Sequence, residues 1–302
     1  MRGSWRIRQW IGEARRFAER RRAMQAVAAF PLQSAARSHN LDTELIVSLT
    51  SYPARFATLA LTLRGLLDQT VRPDRTVLWI AHADHAMLPA DVLALSGHGL
   101  EIRLCDDTRS YKKLVAALQA FPGAAIVTAD DDVYYPPRWL ETLLAAATDA
   151  PGAIVAHRAH HAHIGHDGRF AAYANWDMAV ASPGDDPPGR LLFPTGHGGV
   201  FYPARSLDPR VCDVALFTAL CPTADDVWFF WMGRLNGTAY RGASGLGELL
   251  NWDGTDETAL FHQNWLGNEN DTQIAAMEDR FGTLREIMIA STGHQCHDKT
   301  AA

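Results

Sequence analysis

The chain of 302 residues has four cysteines, Cys105, Cys212, Cys221 and Cys296, and no C-x-x-C pair among them. Scattered singly, they suggest neither a zinc knuckle nor a disulfide framework and are read as reduced thiols, mostly in the core. No run approaches the roughly 18 apolar residues that cross a bilayer, and no secretory apolar stretch with a small-residue cleavage site opens the sequence. A cytoplasmic address is expected. A phosphate-gripping G-x-x-x-x-G-K segment is absent, as is any internal repeat. With 47% hydrophobic and 21% charged residues, a disordered chain is excluded; one large domain, alone or with an appendage, is expected.

Basic residues are sparse beyond the first forty positions. Residues 1 to 40 hold nine Arg against Glu13 and Glu19, and the remainder carries 19 Lys plus Arg against 32 acids, within a total of -6. So acidic a body argues against nucleic-acid binding. In the basic segment Trp5, Ile7, Trp10, Ile11, Phe17 and Met24 interleave with Arg6, Arg8, Arg15, Arg16 and Arg20 to Arg22. That is the pattern of an amphipathic helix on an anionic surface, so residues 1 to 30 are a candidate for peripheral contact with the inner face of the plasma membrane. A helix packed on its own domain or on a neighbouring subunit is the alternative.

From Glu44, short apolar runs alternate with helical patterns, which predicts an α/β domain with a mainly parallel sheet flanked by helices. Strands are expected at Leu45 to Leu49, Thr76 to Ile80, Glu101 to Leu104, Ala124 to Thr128 and Gly198 to Tyr202. Helices are expected at Phe56 to Gln69, near Pro89 to Leu95, at Tyr111 to Phe121, Arg138 to Ala147, Asp225 to Leu235 and Met277 to Ala290. The His-rich stretch 157 to 166 fits no zinc spacing and reads as a surface loop, Ser182 to Arg190 as a mobile loop, and the tail after Ser291 as loose. Three segments follow: a basic extension at 1 to 43, an α/β domain at 44 to 240, and an extension at 241 to 302 completing or covering one side of it.

Asp130, Asp131 and Asp132 stand where the fourth strand runs out and a Tyr-Pro-Pro turn begins. In extended chain Asp130 and Asp132 project together and Asp131 opposes them. Two carboxylates about 5 Å apart repel by roughly 3 kcal/mol at an effective dielectric near 20, and a hard divalent cation reverses that sign. Oxygen ligands select Mg²⁺ or Mn²⁺, which typically keep open positions for substrate phosphates. An acidic turn capping the following helix is the simpler alternative.

Four stretches, IVSLTSYPARF (46 to 56), DDTRSYKKLVAAL (106 to 118), IVTADDDVYYPPRWLETL (126 to 143) and FPTGHGGVFYPAR with CPTADDVWFFW (193 to 205, 221 to 231), give the chain a resemblance to nucleotide-sugar glycosyltransferases of the GT-A fold, bacterial family 2-like. The resemblance implies a Rossmann-like fold and an inverting, metal-dependent transfer from a UDP- or GDP-linked sugar to a glycan or lipid-linked acceptor of the envelope or capsule. It implies Asp132 as the direct metal ligand, Asp130 and Asp131 at the ribose with Asp130 supporting the metal, and His262 completing the metal shell. Thr50, Tyr52 and Arg55 would cradle base and diphosphate, with Lys113 near the donor. Gly198 and Gly199 would let backbone approach the donor sugar, and His197 between the glycines is a further candidate for substrate or metal. At the start of a helix, Asp226, with Asp225 second, would be the base that takes the acceptor's proton, the helix terminus fixing its direction. Trp176 and Trp252 are read as core residues rather than sugar platforms.

Three rival classes stand beside it. A haloacid dehalogenase-like phosphatase also uses strand-end aspartates, but its nucleophile follows the first strand, whereas these follow the fourth. A sugar nucleotidyltransferase shares the fold but needs a glycine-rich, arginine-bearing loop after the first strand, where this chain reads LTSYPARF. A non-catalytic carbohydrate-binding or scaffold protein would not need Asp130 to Asp132 together with Asp225 and Asp226.

Overall fold

The computed structural model describes residues 17–32, 36–180, 184–186, 190–252, 254, 269–283 and 286. His262, Cys296, residues 1 to 16 and the tail after Ser291 lie outside the described residues.

The architecture is mixed α/β, a mainly parallel sheet flanked by helices in a Rossmann-like arrangement. Its strands are β1 (Leu45–Thr50), β2 (Arg75–Ala81), β3 (Leu100–Cys105), β4 (Ala125–Ala129), β5 (Ile154–Ala156), β8 (Val200–Tyr202) and β9 (Tyr240–Gly242), while β6 (Ala159–His163) and β7 (Arg190–Pro194) form a separate antiparallel ribbon. The main helices are α1 (Phe56–Leu67), α2 (Lys112–Ala120), α3 (Trp139–Asp149), α4 (Asp225–Leu235) and α5 (Glu269–Phe281). Spatial order in the sheet is β9-β5-β8-β4-β1-β2-β3, with β8 antiparallel to both neighbours. The carboxyl ends of β1 and β4 therefore share an edge with the amino end of β8. That edge carries Thr50, the aspartate triplet and Gly196 to Gly199.

Both faces of the central strands are buried, so these strands read as continuous apolar runs. Leu45, Val47 and Leu49 enter one core with α1 and α3, and Ile46 enters the other with α2 and α4. Trp176 (4% exposed) and Trp252 (2%) are core residues, as expected.

Several expectations shift. The His-rich stretch is not a loop: Ala159–His163 pairs with Arg190–Pro194, and His160 is buried between Phe193 and Tyr173. Strand alternation puts His160 and Ala162 on a buried face and His161 and His163 on a wetter one. The 182 to 190 stretch is tethered where it is described, with Asp186 in a two-pronged ion pair with Arg234 and Asp185 paired with Arg241. A helix runs Glu269–Phe281, overlapping the expected 277 to 290 at 277 to 281; Gly282 and Thr283 are not helical, Glu286 is, and the rest of the expected span lies outside the described residues. Gly196 to Gly198 form a 3-10 turn, and the strand starts at Val200.

Residues 17 to 28 are helical, with Ala23 and Val27 packed on Trp252 while Phe17 and Met24 stay exposed. Among the described residues no helix is long and apolar enough to cross a membrane.

Candidate active site

Beyond the sheet edge lies a cavity of about 1370 Å³ lined by Thr50 to Tyr52, Arg55, Lys113, Asp130 to Asp132, Gly196 to Gly198 and Asp225 to Val227. The β1-α1 and β4-α3 connections form one wall. The ribbon and residues 243 to 249 form the other, through His157, Arg158, His160, Phe193 and Leu246 to Leu249.

The triplet splits as strand alternation dictates. One ligand atom each from Asp130, Asp132 and His197 lies within 4.8 Å of the others. Asp131 points away and accepts from Ser51 Oγ at 2.6 Å, and its backbone carbonyl accepts from Thr62 Oγ1 at 3.0 Å. Tyr135 holds this arrangement. Fully buried, it accepts from the Asp130 N–H at 2.8 Å and donates to the His197 carbonyl at 3.3 Å. The aromatic turn after the aspartates thus ties the triplet to the glycine turn.

Two cations are built into the cluster. Lys113 Nζ lies 2.8 Å from Asp130 Oδ1 and 3.2 Å from Asp225 Oδ2, and Arg55 pairs with Asp132. Burial pushes the Lys113 ammonium down, but Asp130, Asp225 and Asp226 outweigh it and raise its pKa well above the ordinary value. Burial likewise pushes Asp130 up, and the Lys113 charge brings it below the usual carboxylate range. Burial lowers the His197 pKa, leaving a neutral ring with a lone pair to offer.

Asp226 has no such neutralising contact. Burial and then the neighbouring Asp225 push its pKa up to about 7. Its Oδ1 accepts the Gly196 N–H at 3.1 Å, and neither aspartate caps the helix. Instead, Gln273 of α5 accepts the N–H groups of Thr223 and Ala224 ahead of the first turn. The direction of Asp226 is therefore set by the glycine turn rather than by capping. A Cβ on Gly196 would lie 2.7 Å from Lys113 Nζ and 3.4 Å from both Asp130 Oδ1 and Asp226 Oδ1, so an added side chain there would displace the Lys113 ammonium.

The other candidates are placed as follows. Tyr52 lines the cavity with 41% of its surface exposed, and Thr50 Oγ1 donates to the Trp79 carbonyl. Gly198 lines the cavity, and its carbonyl accepts from Trp139 Nε1 at 2.8 Å. Gly199, at φ 89°, packs on Trp139. Lys112 pairs with Asp107. Sequence reasoning did not single out Tyr135 and Ser51 as site residues, although both stand inside the quoted motifs. Arg158 carried no signal: it lies in the His-rich stretch, donates to Thr195 Oγ1 at 2.7 Å and forms no carboxylate ion pair among the described residues. Arg109 (φ 56°) and Ala179 (φ 46°) line the cavity in the left-handed region, a strain that tends to gather at functional sites.

The two carboxylates suit Mn²⁺ or Mg²⁺, and the imidazole is a donor that Mn²⁺ takes more readily than Mg²⁺. The Asn251 Oδ1 on the cavity wall and Arg55 Nε are buried without partners, a deficit that a polar ligand would repair.

No protein-family model matches the chain, and no curated protein sequence matches it. The solved structures to which it is similar include HddC from Yersinia pseudotuberculosis, at 10% identity and TM-score 0.40 over 69% of this chain and 93% of that one. The same protein complexed with GMP-PN gives 8% identity and TM-score 0.40 over the same shares. A CMP:2-keto-3-deoxy-manno-octonic acid synthetase complexed with CTP matches at 11% identity and TM-score 0.39, over 76% of this chain and 98% of that one. Likeness at this level does not separate glycosyl from nucleotidyl transfer.

Proposed function

We propose that the protein is an enzyme of nucleotide-sugar chemistry, a transferase that binds a nucleotide or nucleoside diphosphate sugar at the Asp130–Asp132–His197 corner with Mn²⁺ or Mg²⁺. Within that class the finer reading is glycosyl transfer to a glycan or lipid-linked acceptor. The observation that carries it is Asp226: a carboxylate in no ion pair among the described residues, its pKa pushed up to about 7 by burial and Asp225 against the opposing charge of Lys113, separated from Asp130 and Lys113 only by Gly196 and facing the same cavity. A general base works best when its pKa is near the working pH. Inverting transfer needs such a base; nucleotidyl transfer to a sugar phosphate, whose nucleophile is already ionised, does not, whereas nucleotidyl transfer to a sugar hydroxyl would use one too.

In this reading Tyr52 stacks on the base, Arg55 and Lys113 face the diphosphate side, and Asp131 with Ser51 contacts the ribose. When bound, the metal would offset negative charge on the departing diphosphate. Peripheral membrane contact through residues 1 to 30 belongs to the proposal, supported by Phe17 and Met24 exposed beside Arg21 and Arg22.

The second reading, sugar nucleotidyl transfer, shares this type of sheet. One assay separates the two: incubation with Mn²⁺ and panels of nucleoside diphosphate sugars or of nucleoside triphosphates with sugar phosphates and free sugar acids. Release of nucleoside diphosphate from the first panel, lost in Asp226→Asn, supports glycosyl transfer. Pyrophosphate release from the second, with none of the first release, replaces it with nucleotidyl transfer.

A further inference from the structure

Resting on that metal and nucleotide reading, we propose that Arg55 is an internal counter-ion occupying Asp132 until a nucleotide arrives, so that divalent metal and diphosphate enter the site together. The side chains of Arg55 and Asp132 are only 7% and 13% exposed, and they are ion-paired. Lys113 holds Asp130 in the same way. Both carboxylates of the candidate metal triad therefore already have cations. A metal ion binding alone would have to take Asp132 from Arg55, leaving a largely buried guanidinium with only the weaker effects of Asp131 and Tyr52, an unfavourable outcome.

The diphosphate resolves this. Arg55 lines the cavity, and its Nε is buried without a partner, so its planar fork has donor capacity that Asp132 does not use. Phosphate oxygens match that fork. With a diphosphate present, Arg55 can turn from Asp132 to phosphate while the metal takes Asp132, and every charge keeps a partner. The helix start allows this: Arg55 ends the 3-10 turn Pro53–Arg55 ahead of α1 and bonds no helix-capping group with its side chain. Arg55 thereby couples the two ligands.

The test is Mn²⁺ binding to the full chain by isothermal titration, without nucleotide and with saturating UDP, GDP or CDP. In the wild type, Mn²⁺ should bind at least about tenfold more tightly with the effective nucleotide than without it. Arg55→Met should bind Mn²⁺ without nucleotide about tenfold more tightly than wild type and lose most of the nucleotide enhancement. Arg55→Lys, which keeps the charge, should stay near wild type. Arg158→Met removes a cavity cation that has no carboxylate ion pair among the described residues, and it should change Mn²⁺ affinity far less.

If Arg55→Met binds free Mn²⁺ no better than wild type while Asp132→Ala abolishes binding, the counter-ion role is wrong and the metal site survives. An Arg158→Met shift equal to that of Arg55→Met also overturns it, because the effect would then be a general field. Should Arg55→Met fail to fold, equal wild-type Mn²⁺ affinity with and without every nucleotide overturns the coupling. Asp132→Ala binding Mn²⁺ and nucleotide like wild type would overturn the site itself.

Discussion

At the scale of single residues, Asp226 carries the sharpest predictions. Its raised pKa means that the folded state holds a proton that the unfolded chain releases near pH 4, so folding stability falls as pH rises from about 4 through about 7. Asp226→Asn removes that cost and keeps an oxygen for the Gly196 N–H. We expect it to stabilise the protein at pH 8 by about 1–2 kcal/mol after allowance for relaxation and solvent screening, measured by urea unfolding. The same substitution should lower turnover by at least about a hundredfold, the usual scale for a general base. For the wild type, kcat/KM should climb with pH through about 7, because the base acts only when ionised. A flat profile from pH 5 to 9 would contradict that role. Tyr135→Phe should cost about 1–3 kcal/mol, since it leaves the Asp130 N–H buried without its acceptor, and should weaken Mn²⁺-linked nucleotide binding with little change in metal-free fold content.

At the scale of elements, the glycine turn before β8 decides whether the site forms. At Gly199, φ is 89° and an added Cβ would sit 2.5 Å from Trp139 Cζ2. Gly199→Ala should therefore destabilise by about 2–4 kcal/mol, combining left-handed strain with displacement of a buried ring, which thermal unfolding would read as a lower Tm. The alternation of β1, β2, β3 and β4 with helices was legible in the sequence because β1, β2 and β4 are buried on both faces and so largely apolar, while β3 at the sheet edge keeps an alternating Leu100, Ile102 and Leu104. Asp225–Leu235 was legible to the residue because its body is apolar and its start acidic. The α5 helix was not. Its buried face includes Asn270, Gln273 and Glu278 beside Ile274 and Met277, because it serves backbone donors of Thr223, Ala224 and Phe170. A face chosen for hydrogen bonding leaves little apolar periodicity. The β6 strand was hidden likewise, its histidines resembling a polar loop until pairing with β7 gives them an inside and an outside. At the site, strand alternation separated Asp131 from Asp130 and Asp132, but nothing in the sequence announced that Arg55 and Lys113 would pair with two of them.

At the scale of the whole molecule, the sheet brings four separated segments, near positions 50, 113, 130 and 196, to one edge, and α4 adds Asp226 from beyond position 220. The acidic remainder and the basic first forty residues make charge uneven along the sequence. If the basic segment meets a membrane, the full chain should sediment with vesicles of anionic lipid at low salt and release at high salt, and a Phe17→Glu, Met24→Glu double variant should bind markedly less. Binding equally well to neutral vesicles would contradict an electrostatic contact.

The account depends most on the carboxylates at the tip of β4 holding a divalent ion against a nucleotide's phosphates. Isothermal titration of UDP, GDP and CDP into the protein, with and without Mn²⁺, tests this directly. We predict that at least one nucleotide binds about tenfold or more tightly with Mn²⁺, and that Asp132→Ala abolishes the difference. Nucleotide binding indifferent to the metal, or a metal effect that survives Asp132→Ala, would contradict the account.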